Sequence, residues 1–136
     1  MADKGFRLAV LTQEKTTVDE TVSSVTAPGT EGYLGILRDH APLVTQLMPG
    51  KLTVKDLNGN ETVYAISGGF LEVSHNTVTL LAESIEKGSE IDLARAEEAE
   101  KRARERLAKK DTGVDIDRAE VALKRALNRK RIRRSL

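Results

Sequence analysis

The stretch Leu81-Ala82-Glu83-Ser84-Ile85-Glu86-Lys87-Gly88-Ser89-Glu90-Ile91-Asp92-Leu93-Ala94-Arg95-Ala96 divides the chain into two kinds of sequence. Upstream of it, apolar residues alternate with polar ones, and Gly, Pro, Asn and Thr break the pattern every few residues. Downstream, Ala, Glu, Lys, Arg and Leu recur at helical spacing with hardly a breaker. A strand-built half therefore ends here and a helix-built half begins. The junction also gathers the carboxylates Glu83, Glu86, Glu90 and Asp92 at the start of a helix whose later turns carry arginines.

Working back toward the N-terminus, Phe6 to Thr12 and Glu20 to Ala27 read as strands, the second closed by the turn pair Pro28-Gly29. A short apolar run, Gly32 to Leu37, precedes Arg38-Asp39-His40-Ala41-Pro42, where Pro42 is restricted to a strand start or edge. Leu43 to Leu47 follows, and then the turn Met48-Pro49-Gly50. Lys51 to Leu57 alternates and meets Glu61 to Ile66 across Asn58-Gly59-Asn60, a strong hairpin signal. Phe70 to Val73 and Thr77 to Leu81 flank the turn His75-Asn76. There is no room for crossover helices between such short strands, so residues 1–86 are expected to form an antiparallel β-sandwich or barrel.

Working forward, Ala96, Ala99, Ala103 and Leu107 fall on one helical stripe, and Ala119, Ala122, Leu123, Ala126 and Leu127 on another. The break at 110–115 contains Gly113, able to adopt the left-handed conformation, and Asp115, able to cap the next helix. The expected fold is thus α+β, a β-sandwich followed by an antiparallel two-helix hairpin over residues 87–136. Seams made of alanine bury little apolar surface, so adhesion between the helices should be modest at about 25 cal/mol per Å².

Composition narrows the function classes. The chain has 136 residues, 39% hydrophobic and 32% charged, with only 3% aromatic, so the core must come from Val, Ile, Leu and Ala. The sequence holds no run of about 18 apolar residues and no secretory leader pattern. Zero cysteines exclude disulfides and thiolate metal sites. A net charge of +1 hides an acidic first part and a basic end, Asn128-Arg129-Lys130-Arg131-Ile132-Arg133-Arg134, which suits an anionic partner. His40 and His75, the only histidines, sit in turn-like segments. No nucleophile elbow, phosphate loop or metal-ligand spacing is present, so catalysis is not expected.

The arginines are more informative. Arg95, Arg102 and Arg106 stand at i, i+7 and i+11, and Arg118, Arg125 and Arg129 repeat that spacing. Folded antiparallel, the hairpin can turn several planar guanidinium forks toward one phosphate-bearing anion. The competing reading is a solvated face laced with i,i+4 pairs such as Glu98 with Arg102, with Asp92 a simple helix cap.

Three motifs in order, Gly32-Tyr33-Leu34-Gly35-Ile36-Leu37-Arg38-Asp39-His40-Ala41-Pro42-Leu43, then Ser67-Gly68-Gly69-Phe70-Leu71-Glu72-Val73, then Ile91-Asp92-Leu93-Ala94-Arg95-Ala96, closely resemble the epsilon subunit of bacterial F-type ATP synthase. The resemblance covers essentially the whole chain. It implies a non-catalytic rotor subunit, peripheral on the cytoplasmic face of the cell membrane, whose sandwich joins the gamma subunit to the ring of c subunits. It further implies a hairpin that inhibits ATP hydrolysis when it extends toward the alpha and beta subunits. Glu31, Gly32, Tyr33 and Leu34 match the loop facing the c ring, and His40, Ala41, Pro42 and Leu43 fall in the region docking on gamma. The ATP-binding pattern of the family maps onto Glu86, Ile91, Asp92, Arg95, Ala96, Arg102, Arg125 and Arg129. No cofactor is required on this reading. ATP, alone or with magnesium, is a regulatory ligand of the compact hairpin. The resemblance gives no role to the basic run from Lys130. The alternative is a β-sandwich binding module with a basic helical tail for nucleic acid.

Overall fold

The computed structural model describes residues 5–109 and 115–136. The chain divides into two compact units, Met1–Lys87 and Gly88–Leu136. The described residues of the first hold nine strands: β1 (Phe6–Leu11), β2 (Thr16–Gly29), β3 (Gly32–Leu37), β4 (Leu43–Leu47), β5 (Gly50–Asp56), β6 (Glu61–Ile66), β7 (Gly69–Ser74), β8 (Thr77–Ala82) and β9 (Ile85–Lys87).

The long strand β2 organises this unit. Its first half pairs with β1, and β8, β7 and β4 follow in order. Its second half lies between β3 and β5, with β6 and β9 continuing beyond β5. The sequence pattern predicts this strand over Glu20 to Ala27, whereas it runs six residues longer in total, with polar Thr16 and Asp19 still paired with β1. A register shift between Val22 and Ser24 explains a broken pattern in that strand. Val22 and Val25 are three apart, which strict alternation would send to opposite faces. The extra residue turns both inward, and both are fully buried. One pairing departs from the antiparallel expectation: β1 runs parallel to β8, from Arg7 opposite Thr77 to Leu11 opposite Leu81.

Alternation elsewhere delivers the core. Leu8 and Val10, Leu52 and Val54, Leu71 and Val73, and Val78 and Leu80 all point inward, joined by Ile36, Ile66 and Tyr64. The Asn58-Gly59 hairpin forms as expected, with Gly59 at φ 85 and the Asp56 carboxylate accepting the N–H groups of Asn58 and Asn60. His75 and Asn76 both adopt positive φ, the geometry of a tight two-residue hairpin turn.

The second unit opens with a 3-10 turn, Gly88–Glu90, followed by α1 (Leu93–Lys109) and α2 (Ile116–Arg134). Asp92 caps α1 by accepting the Arg95 N–H at 3.2 Å, and Asp115 caps α2 by accepting the Arg118 N–H at 3.0 Å. Gly113 lies outside the described residues. The helices pack along the alanine stripes, with Ala96, Ala103, Ala119 and Ala126 each almost fully buried. β9 and the 3-10 turn had no counterpart in the sequence reading, since three-residue elements carry no periodicity.

Candidate functional site

At about 100° per residue, the two arginine sets occupy one flank of the alanine seam. On α1, Arg95, Arg102 and Arg106 lie about 60–100° round from Ala103 on one side. On α2, Arg118, Arg125 and Arg129 lie on the equivalent side of Ala126. Antiparallel packing brings equivalent flanks onto the same side of the hairpin, so all six guanidiniums line one long surface. Arg95, Arg102 and Arg125 are exposed and make no hydrogen bond or ion pair through their guanidiniums among the described residues. The Glu98 to Arg102 pair of the competing solvated-face reading is not formed among the described residues. The like charges of Arg95, Arg102 and Arg125 repel one another, and a polyanion relieves that repulsion.

The rest of the predicted ATP set divides. Ile91 and Ala96 are buried, which fixes the start of α1, and Asp92 caps it. Those three hold the helix end on which Arg95 stands. Glu86 belongs to the first unit, on β9 opposite Ala65.

The opposite flank of the hairpin has a different chemistry. Lys130 Nζ donates to Glu100 Oε1 at 2.9 Å, Arg104 Nε donates to Glu100 Oε2 at 3.0 Å, and Arg134 donates to Glu97 at 3.1 Å. Lys130, and secondarily Arg104, hold the Glu100 carboxyl below the usual carboxylate range. These groups line an open groove of about 530 Å³ together with Lys101, Glu105 and Ala108. Thus the hairpin's groove and its unpaired arginines are on different sides.

In the sandwich, the predicted c-ring loop is a tight turn. Gly32 has φ 126, Glu31 and Tyr33 are exposed, and Leu34 packs against the core. Tyr33 does not project freely, because its hydroxyl accepts the Lys51 N–H at 3.0 Å. The predicted gamma segment enters β4, with Ala41 and Pro42 exposed, His40 half-buried and Leu43 packed on the core. Asp39, at φ 64, and Asn76 brace that segment. The Asp39 N–H donates to Asn76 Oδ1 at 2.7 Å, and Asn76 Nδ2 donates to Asp39 Oδ1 at 2.9 Å.

Sequence reasoning missed an apolar stripe on the same sheet. Phe70 stands opposite Gln46 and Leu81, with Val44 one diagonal step away, and all three apolar side chains are more than half exposed. The signal was present: in β7 and β8 the outward positions of an alternating pattern carry Phe and Leu where a solvated face would carry polar residues.

Residues 5–88 match the family described as ATP synthase, Delta/Epsilon chain, beta-sandwich domain, and residues 89–132 match ATP synthase, Delta/Epsilon chain, long alpha-helix domain. The chain belongs to the ATP synthase epsilon-chain family. It is 50% identical over 110 residues to the ATP synthase epsilon chain of Pelotomaculum thermopropionicum, covering 81% of each chain. It is 45% identical over 126 residues to that of Desulforamulus reducens, covering 93% of this chain and 95% of the relative. Among solved structures it resembles a chain of the Euglena gracilis mitochondrial ATP synthase, seen with OSCP, F1 and c-ring, at a TM-score of 0.79 and 31% identity. That likeness covers 90% of this chain and 77% of the other. Of the two readings open to the sequence, membership selects the rotor subunit: the chain is a non-catalytic part of the ATP synthase stalk. Among the described residues no helix is long and apolar enough to cross a membrane.

Proposed function

We propose that the sandwich docks this subunit on gamma and the c ring, at the cytoplasmic face of the membrane, and that the hairpin is a nucleotide-sensitive brake on ATP hydrolysis. The observation that carries the brake is the division of labour between cations. Arg95, Arg102 and Arg125 share one flank and carry uncompensated charge, whereas Arg104, Lys130 and Arg134 on the other flank already hold carboxylates. ATP, whose phosphates offer several bidentate acceptors, fits the first flank and not the second. Arg129 completes that flank, Asp92 and Ile91 set the helix start beneath it, and Ala96 permits the close approach of α2.

Binding of this kind exists only while the helices lie side by side, because the arginines come from both. ATP therefore favours the compact hairpin over an extended arm, and at about a hundred times its dissociation constant the bias is roughly 2.7 kcal/mol. For docking, the stripe Val44, Phe70 and Leu81 adjoins the His40 to Leu43 segment and suits an apolar subunit surface. The extended arm presents its basic face to acidic surfaces of the alpha and beta subunits.

Calorimetric titration of ATP into the isolated chain tests the brake's ligand. Heat of binding is expected for the native sequence, a clear loss of affinity for Arg95→Ala, and little change for Arg131→Ala, which stands off the arginine flank. Absence of heat at millimolar ATP, or equal loss in both variants, would sink the reading.

A further inference from the structure

The basic end of α2, for which the sequence supplied no role, is engaged by the hairpin itself. Glu100 bridges two cations with its two oxygens, one from its own helix and one from the other, and its side chain is only 15% exposed. Lys130 is 24% exposed at the same place, so this contact is better shielded from solvent than an ordinary surface pair. The second contact, Glu97 with Arg134, is more open and contributes less. The two bridges keep antiparallel register: three residues back along α1 correspond to four forward along α2. Their partners are 30 and 37 residues apart in sequence. In a straightened arm, at about 1.5 Å per residue, those partners stand far beyond bonding distance. Both bridges therefore exist only in the folded hairpin.

We infer that the carboxylates of Glu97 and Glu100 form a nucleotide-independent clasp that holds the hairpin compact by competing with an acidic protein surface for Lys130 and Arg134. The clasp lies across the seam from the arginine flank, so phosphate on one side and carboxylate on the other add to the same conformational bias. Opening the hairpin strips Lys130 and Arg134 of these partners and presents them together on the last turns of α2. An acidic surface that accepts them then replaces the interaction lost. The competition with a partner rests on the braking reading above, but the clasp itself does not.

The test isolates the clasp by working without nucleotide. The sequence lacks cysteine, so spin labels on cysteines introduced at Glu98 and Arg131, both exposed, report the distance between the helices. Glu100→Gln preserves shape and helix propensity and removes the charge. It is expected to lower the ratio of compact to extended hairpin by about two- to five-fold at low salt. High salt should shrink that difference, since it screens the pair in the native chain. Glu105→Gln is the control, because Glu105 lines the same groove but makes no ion pair among the described residues. The exchanged pair Glu100→Lys with Lys130→Glu should recover most of the native ratio. An unchanged ratio in Glu100→Gln, an equal change in Glu105→Gln, or no recovery in the exchanged pair overturns the clasp. In the assembled enzyme, Glu100→Gln should also deepen inhibition of hydrolysis. A clasp seen by distance with unaltered inhibition would refute the competition alone. A failed ATP titration would refute the nucleotide reading and leave the clasp standing.

Discussion

Replacing Ala103 by Leu should unzip the hairpin without unfolding either helix. Ala103 is 2% exposed on the seam of α1, packed against α2. Leucine adds three carbons where no room exists, and overpacking of that kind costs about 1–3 kcal/mol. The helix itself does not suffer, since Leu is nearly as good a helix former as Ala. The whole penalty therefore falls on the compact arrangement, and the ratio of compact to extended hairpin should drop about 5- to 150-fold. Labels at Glu98 and Arg131 read this directly by pulsed spin resonance, because a continuous extended helix would separate them by about 50 Å. Ala94→Leu adds the same carbons at an exposed position of α1 and should leave the distribution unchanged. If Ala103→Leu left the short distance fully populated, or if Ala94→Leu acted equally, the seam would not control the hairpin.

Three further predictions concern the sandwich. Leu71, fully buried between β4 and β8, should cost about 2–5 kcal/mol of stability when cut to Ala, read as an earlier urea midpoint at constant slope. Gly69 has φ 146, and an added Cβ would lie 2.0 Å from the Leu81 carbonyl oxygen. Gly69→Ala should lower the melting temperature by more than Gly35→Ala, where the added Cβ meets nothing within 4 Å. Acid should weaken the fold through Asp56 and Asp19. Hydrogen bonds from the Asn60 and Asn58 backbone and the Asn60 amide lower the Asp56 carboxyl, and the Arg7 guanidinium lowers Asp19. Both are lower folded than unfolded, so their contribution is complete above the unfolded value of about 3.9 and is lost as pH falls through the folded values. Urea titrations at pH 7 should therefore show Asp56→Asn less stable than the native chain, and titrations near pH 3 should show the two converging.

Much of this was legible because period and punctuation are local. Alternation in Lys51 to Leu57, the Asn58-Gly59 pair and the alanine stripes each follow from a few neighbouring residues. What escaped depended on pairing between distant segments. The bulge that turns Val22 and Val25 to one side, and the parallel match of β1 with β8, are settled by the closure of the sheet around β2. The arginine flank was readable from spacing alone, but the absence of a Glu98 to Arg102 pair was not, since i,i+4 spacing permits a bond without requiring it. The Glu100 bridge needed the register between helices. Once that register is known, the acidic residues of α1 and the basic end of α2 fall opposite each other.

The central claim is that the hairpin brakes hydrolysis in a state that nucleotide opposes. ATP hydrolysis by the ATP synthase assembled with the native subunit, and with a subunit ending at Lys87, measures it across a range of ATP concentrations. The core of the first unit lies wholly within residues 6–82, so the shortened subunit retains its fold. The account predicts assembly with both, faster hydrolysis with the shortened subunit at low ATP, and a difference that narrows as ATP rises. Equal hydrolysis at every ATP concentration, with assembly intact, would contradict it.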